Sequence, residues 1–225
     1  MRCATYLKIM GSRSVPFRFV DDQLSLEAET PANAQAIARV LRAGDEWLEV
    51  VPGIDSVVLR FDAGAIDARD VQRRVTELLA GGVPAIEDSA QLIEIPVIYG
   101  GASGPDLDAV CMQLNLTTDE FITLHTARDY RVEMLGFTPG FAFVGGLDER
   151  LHVARRPQPR QRVAPGSVGI ADAFTGLYTL ASPGGWTIVG RTSAELFEPH
   201  SAEPFVLQVG TRVRFVPIEA AGFDA

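Results

Sequence analysis

The chain has 225 residues, 47% of them apolar, enough for one large domain or two small ones with buried cores. Its formal net charge of −9 excludes a general nucleic-acid binder, which needs a basic face. No stretch approaches the ~18 to 20 continuous apolar residues of a membrane span. The N-terminus lacks a basic segment followed by an apolar run, so neither a membrane partner nor a secretory signal is read. Cys3 and Cys111 are the only cysteines, too few for a disulfide framework, and a cytoplasmic setting is expected. Lys8 is the only lysine. It is followed by Ile9 with no glycine-rich loop before it, which excludes a P-loop. The remaining basic residues are arginines, suited to planar, bidentate contacts with carboxylate or phosphate.

The first ~90 residues alternate strand-like and helix-like patterns. Gln23 to Ala28 alternates, with Leu24, Leu26 and Ala28 on one face. Pro31 to Gly44 reads as a helix with Thr30 as N-cap, Pro31 in the first turn and an apolar stripe of Ala34, Ile37, Ala38 and Leu41. Trp47 to Val51 and Ser56 to Phe61 read as strands around a Pro52-Gly53 turn. Asp67 to Leu79 reads as a second helix, with Val71, Val75, Leu78 and Leu79 inward and Gly81-Gly82 ending it. Together these make a small α+β domain over residues 1–92. Asp21-Asp22 and Glu87-Asp88 read as solvated turn residues.

Gln91 to Tyr99 is a strand pattern in which Pro96 favours an edge position. The second domain, residues 93–225, begins here. Gly100 to Asp106 is a loop without Gly-x-Gly-x-x-Gly, and Ser103 lacks the glycine pair of a nucleophile elbow. Asp106 to Leu114 and Thr117 to Thr126 read as short helices, the second opened by the capping signal Thr117-Thr118-Asp119-Glu120. His125 sits near its end, where it suits a helix C-terminus. Strands dominate afterwards: Tyr130 to Leu135, Ala194 to Phe197, Phe205 to Gln208 and Thr211 to Pro217, with Val213, Phe215 and Ile218 expected in the core. The last few residues are expected to be loose.

Between Leu135 and Thr192 glycine and proline recur too often for a long helix. Gly136-Phe137-Thr138-Pro139-Gly140-Phe141 is followed by Arg155-Arg156-Pro157-Gln158-Pro159-Arg160. Pro165-Gly166-Ser167-Val168-Gly169-Ile170 and Ser182-Pro183-Gly184-Gly185-Trp186 through Gly190-Arg191-Thr192 come next. The glycines suit the turns of a tight barrel whatever else they do. The interleaved arginines and hydroxyls also suit a pocket for a small anion, formed by Arg155, Arg160, Arg191, Thr192, Tyr178 and backbone N–H groups of the glycine turns. The competing reading makes the arginines surface charges or turn clamps. Phe137, Phe141, Phe143 and Trp186 are read as core rather than ligand platform, and Ser167 and Ser182 as turn hydroxyls. His125, His152 and His200 include no His-x-x-x-His pair, and neither cysteine lies in Cys-x-x-Cys, so no metal site is expected.

These motifs, in this order and spacing from about Ile95 onward, resemble the family of 5-oxoprolinase B subunits, also called allophanate hydrolase subunit 1 or the KipI type of kinase inhibitor. The residues that carry the resemblance include Gly136-Phe137, Pro139-Gly140-Phe141, Pro159-Arg160, Gly166 to Ile170, Thr175-Gly176, Tyr178 and Ser182 to Trp186. The resemblance implies a mostly β, cyclophilin-like barrel preceded by a small α+β domain. It implies two partners. One is the C subunit, of the KipA or allophanate hydrolase subunit 2 type and also cyclophilin-like. The other is the A subunit, of LamB/YcsF type. The implied reaction opens the lactam of 5-oxo-L-proline to L-glutamate with ATP, at a site shared with these partners.

On that resemblance Arg155, Arg160 and Arg191 bind anionic groups. Ser167, Thr175, Tyr178 and Thr192 orient them, Gly140, Gly184 and Gly185 bring backbone close, and His125 is the candidate general base. The sequence departs from the family at two places in this region. Ala164-Pro165-Gly166-Ser167 stands where Pro-Ala-Gly-Ser is usual. Ala171-Asp172-Ala173-Phe174-Thr175-Gly176 puts Asp172 at a usual glycine and Phe174 at a usual hydrogen-bonding residue. Two other functions fit the same resemblance: inhibition of a sporulation-type histidine kinase through a surface, or carboxyl transfer to urea-type substrates with a separate biotin carrier.

Overall fold

The computed structural model of the chain describes residues 5–9, 13–44, 46–84 and 91–219. The chain divides into two compact units, Met1–Glu87 and Asp88–Ala225. The first contains β1 (Thr5–Ile9), β2 (Arg13–Val20), β3 (Gln23–Glu27), α1 (Pro31–Arg42), β4 (Glu49–Pro52), β5 (Ser56–Arg60) and α2 (Ala68–Ala80). Its strands form one sheet in the order β1-β2-β3-β5-β4, with every neighbouring pair antiparallel.

Local chemistry explains where the helices start. Thr30 is extended, its hydroxyl accepts from the Asn33 N–H at 3.1 Å, and Pro31 has no N–H to satisfy. The Asp67 carboxylate accepts from the N–H groups of Arg69 and Asp70, at 2.8 and 2.9 Å. The apolar stripes then bury Ala34, Ile37, Ala38, Leu41, Val71, Val75 and Leu79 against Leu24, Leu26, Val57 and Leu59 of the sheet. Each fully buried Leu or Val contributes about 1.5–3 kcal/mol over its exposed state. Asp21 takes a left-handed φ of 51° in the turn after β2, a conformation that Asp tolerates. Cys3, Glu87-Asp88 and the last six residues lie outside the described residues.

The second unit contains β6 (Leu92–Tyr99), α3 (Leu107–Leu114), α4 (Thr118–Thr126), β7 (Tyr130–Leu135), β8 (Ala142–Gly145) and a single 3-10 turn at Glu149–Leu151. It continues with β9 (Arg160–Val163), β10 (Ser167–Ala171), β11 (Phe174–Leu177), β12 (Ser182–Gly184), β13 (Thr187–Arg191) and β14 (Arg212–Pro217). Seven of these strands close into a barrel in the order β10-β11-β8-β7-β14-β6-β13, and β9 and β12 form a separate two-stranded ribbon. Closure gives every barrel strand a partner on both sides along at least part of its length. Inside it pack Ile95, Val97, Val132, Ala142, Val144, Val168, Ile170, Leu177, Val189, Val213 and Phe215. The expected capping box at α4 is complete: Thr117 accepts from the Glu120 N–H, and Glu120 accepts from the Thr117 N–H.

Four expectations need correction. β6 is interior to the barrel, not an edge: it pairs parallel with β14 along Leu92 to Val97 and antiparallel with β13 only at Ile98 and Tyr99. The Val97 carbonyl accepts from Ile218 N on the β14 side at 2.9 Å, so the backbone groups of Pro96 point the other way, ahead of the β13 pairing. The missing N–H of Pro96 therefore removes no ladder bond. The strands expected at 194–197 and 205–208 reduce to an isolated bridge between Phe197 and Phe205, whose rings stack at 5.3 Å. Ile218, expected in the core, is 41% exposed, because it lies past the last paired residue of β14. Phe137, expected in the core, is 62% exposed. Among the described residues no helix is long and apolar enough to cross a membrane.

Candidate functional site

The Leu135–Thr192 segment builds a second aromatic layer, distinct from the barrel core. Phe141, Phe143, Tyr178 and Trp186 are each almost fully buried and meet edge-to-face: Phe141 to Tyr178 at 4.8 Å, Phe141 to Phe143 at 4.9 Å, and Trp186 to both phenylalanines at 5.5 Å. Such contacts add about 0.5–1.5 kcal/mol each beyond burial. Glycine makes this possible. A Cβ at Gly176 would stand 2.6 Å from the Trp186 ring, so only a bare backbone lets the indole lie across β11.

Charge is arranged around this layer. The Arg155 guanidinium lies 5.9 Å from the centroid of the Trp186 ring, a cation–π position, and also 3.9 Å from Asp172. Arg160 starts β9, opposite Gly184 of β12. The backbone at Gly184 is pressed against the Tyr178 hydroxyl so closely that a Cβ there would collide with it. Burial pushes the Tyr178 phenol above its usual range, while the Trp186 backbone hydrogen bond and the Arg155 and Arg160 charges pull it back down. Arg155, Arg160, Tyr178, Gly184 and Trp186 are thus gathered in one place. Gly185 belongs to the same ribbon, its carbonyl accepting from Arg156 N at 2.7 Å.

Arg160 is held by a residue that no sequence motif marked. Its Nη2 donates to Asp106 Oδ1 at 2.7 Å, Arg156 Nη1 donates to the same oxygen at 3.0 Å, and Asp106 Oδ2 accepts from Ile188 N at 2.7 Å. Asp106 looks like an N-cap from its place before α3, yet it makes no capping bond. Its carboxylate is spent on partners 50 to 82 residues away, which no local pattern reveals. The other guanidinium nitrogen, Arg160 Nη1, is buried and has no hydrogen-bond partner among the described residues. An unmet buried donor on a cation is costly, and it is what an anion-binding arginine presents.

A second group adjoins the first through Tyr178. Tyr178 N donates to Ser167 O and Gly166 N to Tyr178 O, at 3.0 and 2.7 Å. Ser167 is paired with Arg191 across β10 and β13. Arg191 Nε donates to the Pro165 carbonyl at 3.1 Å, and the buried Thr192 hydroxyl accepts from Ala194 N at the same distance. These bonds clamp the Pro165-Gly166 turn. Gly140, at a φ of 75°, packs its turn against Phe197 and Thr179.

His125 and Thr175 stand apart from both groups, inside the barrel. His125 is fully buried among Phe121, Tyr130 and Phe215, with centroids at 6.1, 5.6 and 4.6 Å. Thr175 Oγ1 donates to the Gly169 carbonyl at 3.2 Å, so it accepts from His125 Nε2 at 3.0 Å; Nδ1 is then the acceptor for the Tyr99 hydroxyl at 2.7 Å. Both ring nitrogens are used, and burial lowers the imidazole pKa to about 3. A general base must come within hydrogen-bond reach of its substrate. This placement gives His125 a structural role, and gives Thr175 the role of its partner.

The second departure from the family pattern, at Asp172 and Phe174, also finds a place. Asp172 has a φ of 52° in the turn between β10 and β11, a left-handed conformation that Asp tolerates. Phe174 meets Phe143 edge-on at 6.3 Å and so extends the aromatic layer.

Comparison with known proteins places this geometry. The family described as carboxyltransferase domain, subdomain C and D, matches residues 5–207. The B subunit of 5-oxoprolinase from Escherichia coli is 41% identical over 201 residues, covering 85% of this chain and 90% of that protein. The solved structure of TTHA0988 matches with a TM-score of 0.73 at 34% identity, over 88% of this chain, which spans only 40% of that longer chain. The Kluyveromyces lactis urea carboxylase shares the fold at a TM-score of 0.73 and 18% identity, over 96% of this chain and 23% of that one. By the extent of these matches, the chain belongs to the family of 5-oxoprolinase B subunits, within the carboxyltransferase domain family.

Proposed function

We propose that the chain is the B subunit of an ATP-dependent 5-oxoprolinase, acting with a C subunit of KipA type and an A subunit of LamB/YcsF type. The observation that carries this reading is the likeness to the B subunit of 5-oxoprolinase along nearly the whole of both proteins. The Arg155–Tyr178–Arg160 cluster supports it, with its unmet buried guanidinium donor. Lactam hydrolysis needs an unreactive amide to be activated. ATP, when bound, would supply this by transferring its terminal phosphoryl group to the lactam oxygen; one water would then add to the carbon and the ring C–N bond break to leave an acyl phosphate, which a second water would hydrolyse to the glutamate carboxylate and phosphate. In this chain Arg160 and Arg155 hold anionic oxygen, from the substrate carboxylate or the phosphoryl group, and Tyr178 and the Gly184-Gly185 backbone fix its position. His125 takes no part. We take the barrel to be of the cyclophilin-like kind, with a small α+β domain before it.

The test is 5-oxoproline-dependent ATP hydrolysis by this chain alone and by its purified assembly with both partners. Turnover only in the assembly, lowered about a hundredfold in Arg155→Ala and lost in Arg160→Gln, is the expected result. A stable, complete assembly that hydrolyses no ATP with 5-oxoproline would overturn the reading. A second reading, carboxyl transfer from a biotin carrier to a ureido substrate, is favoured by the description of the matching family. It predicts turnover with urea-type substrates and a carboxylated carrier in place of 5-oxoproline.

A further inference from the structure

Phe137 combines two features that fold stability alone does not reward. Its backbone φ is 72°, and Thr138 N donates to the Gly136 carbonyl at 2.9 Å, so Phe137 is the central residue of a positive-φ γ-turn. That turn is rare and strained for any residue with a side chain. Burial of the ring would offset the strain, but Phe137 is 62% exposed, while its neighbours Phe141 and Tyr178 are at 1%. A glycine would take this backbone more easily and expose no aromatic surface.

The surroundings hold the turn in place. Gly136 N donates to Phe141 O at 3.1 Å, Phe141 N to Thr138 O at 3.0 Å, and the Thr179 hydroxyl to Pro139 O at 2.6 Å. The Phe137 ring meets Phe141 at 5.5 Å and Tyr178 at 6.5 Å, both edge-on. Tyr178 is the residue that also feels Arg155 and Arg160. Three buried polar atoms on the segments around Tyr178 lack partners among the described residues: Thr138 Oγ1 beside Phe137, Ser182 Oγ on β12 and Arg160 Nη1 on β9. An exposed, strained aromatic ring thus leans on Tyr178, whose hydroxyl packs against Gly184 opposite Arg160, and the adjacent Thr138 carries an unmet buried hydroxyl. This pattern fits a ligand with an apolar face and a charged end.

We propose that Phe137 is a substrate-recognition residue, its ring forming the apolar wall against which the methylene face of a small lactam packs while the arginines take the carboxylate. This rests on the 5-oxoprolinase reading above and adds the residue that reads the ring.

The experiment compares wild type, Phe137→Gly and Phe137→Tyr in two measurements. The first is the melting temperature of the chain alone. The second is the KM for 5-oxo-L-proline and kcat of the full assembly. The expected result for Phe137→Gly is an equal or higher melting temperature, from relief of the turn, with KM raised roughly tenfold or more. Phe137→Tyr should restore KM, since it keeps the ring. A lower melting temperature with unchanged KM would make the ring structural and overturn the proposal. Failure of Phe137→Gly to co-purify with its partners would make it a partner contact and overturn it equally. A wild-type assembly inactive with 5-oxoproline removes the underlying reading as well, whereas an active one with a Phe137-independent KM removes only this inference.

Discussion

Asp106 and Arg160, 54 residues apart, are joined by a 2.7 Å charge-assisted hydrogen bond, and the same carboxylate takes Arg156 and the Ile188 N–H. One side chain thereby ties the loop before α3 to the start of β9 and to β13. Asp106 is 8% exposed, so the tie is shielded from water. Truncating it leaves a partly buried guanidinium and a buried N–H without their acceptor. Asp106→Ala is expected to lower unfolding free energy by about 2–4 kcal/mol, read by urea denaturation. A midpoint equal to wild type would show that the tie carries no net stability.

Arg155 is the reverse case. Its side chain is 57% exposed, resting on Trp186 and near Asp172, so Arg155→Ala should cost the chain less than about 1 kcal/mol. In the assembled enzyme the same change should lower kcat/KM roughly a hundredfold, the scale of one lost cationic donor at a reacting anion. Unchanged kcat/KM would remove Arg155 from the site.

His125 sets an acid limit on stability. Its folded pKa is about 3 against an ordinary 6.5, because burial disfavours the charged ring. Between those values the unfolded chain binds a proton that the folded chain does not. The contribution is complete above pH 6.5 and is lost as pH falls, by about 1.4 kcal/mol per unit. His125→Phe should unfold more readily at neutral pH, since the Tyr99 and Thr175 hydroxyls lose a partner. It should also show a shallower loss between pH 6.5 and about pH 4, followed by circular dichroism in urea. Parallel pH profiles for the two proteins would refute the assignment.

Glu133 titrates in the opposite sense. It is half-buried against Gly145, where a Cβ would collide with its carboxylate, and burial raises its pKa while Arg131 pulls it down. Folding therefore favours the protonated form, and stability is lost as pH rises through the folded pKa. Glu133→Gln, which keeps the shape without the charge, should gain stability over wild type at neutral pH and lose that gain at acid pH. A Glu133→Gln variant no more stable than wild type at neutral pH would contradict the burial effect.

The turn at Gly166 offers a test of backbone geometry. Its φ is 78°, and a Cβ would collide with the Thr192 carbonyl, a backbone atom that cannot swing away. Gly166→Ala is expected to cost about 2–4 kcal/mol and to loosen the Ser167–Arg191 pairing beside Tyr178, measured by thermal unfolding and by activity of the assembly.

Local chemistry made much of the chain readable in advance. The helices α1, α2 and α4 begin at Thr30, Asp67 and Thr117, as short polar side chains before apolar stripes require. The strands β3, β5, β6, β7 and β14 follow alternation that a half-buried sheet imposes. The order of motifs between Leu135 and Thr192 was enough to point to the family. Long-range contact decided the rest. Whether Pro96 could sit inside a barrel depended on which side its backbone faced. Phe137 was sorted from Phe141 and Phe143 only by a γ-turn that turned its ring outward. His125 and Arg160 looked alike as candidate site residues, but barrel closure enclosed the first with Tyr99 and Thr175 and left the second with an unmet donor near Tyr178. Residue spacing carries periodicity and capping, which act over a few residues. Burial and the partners of Asp106 depend on segments that meet only when the barrel closes.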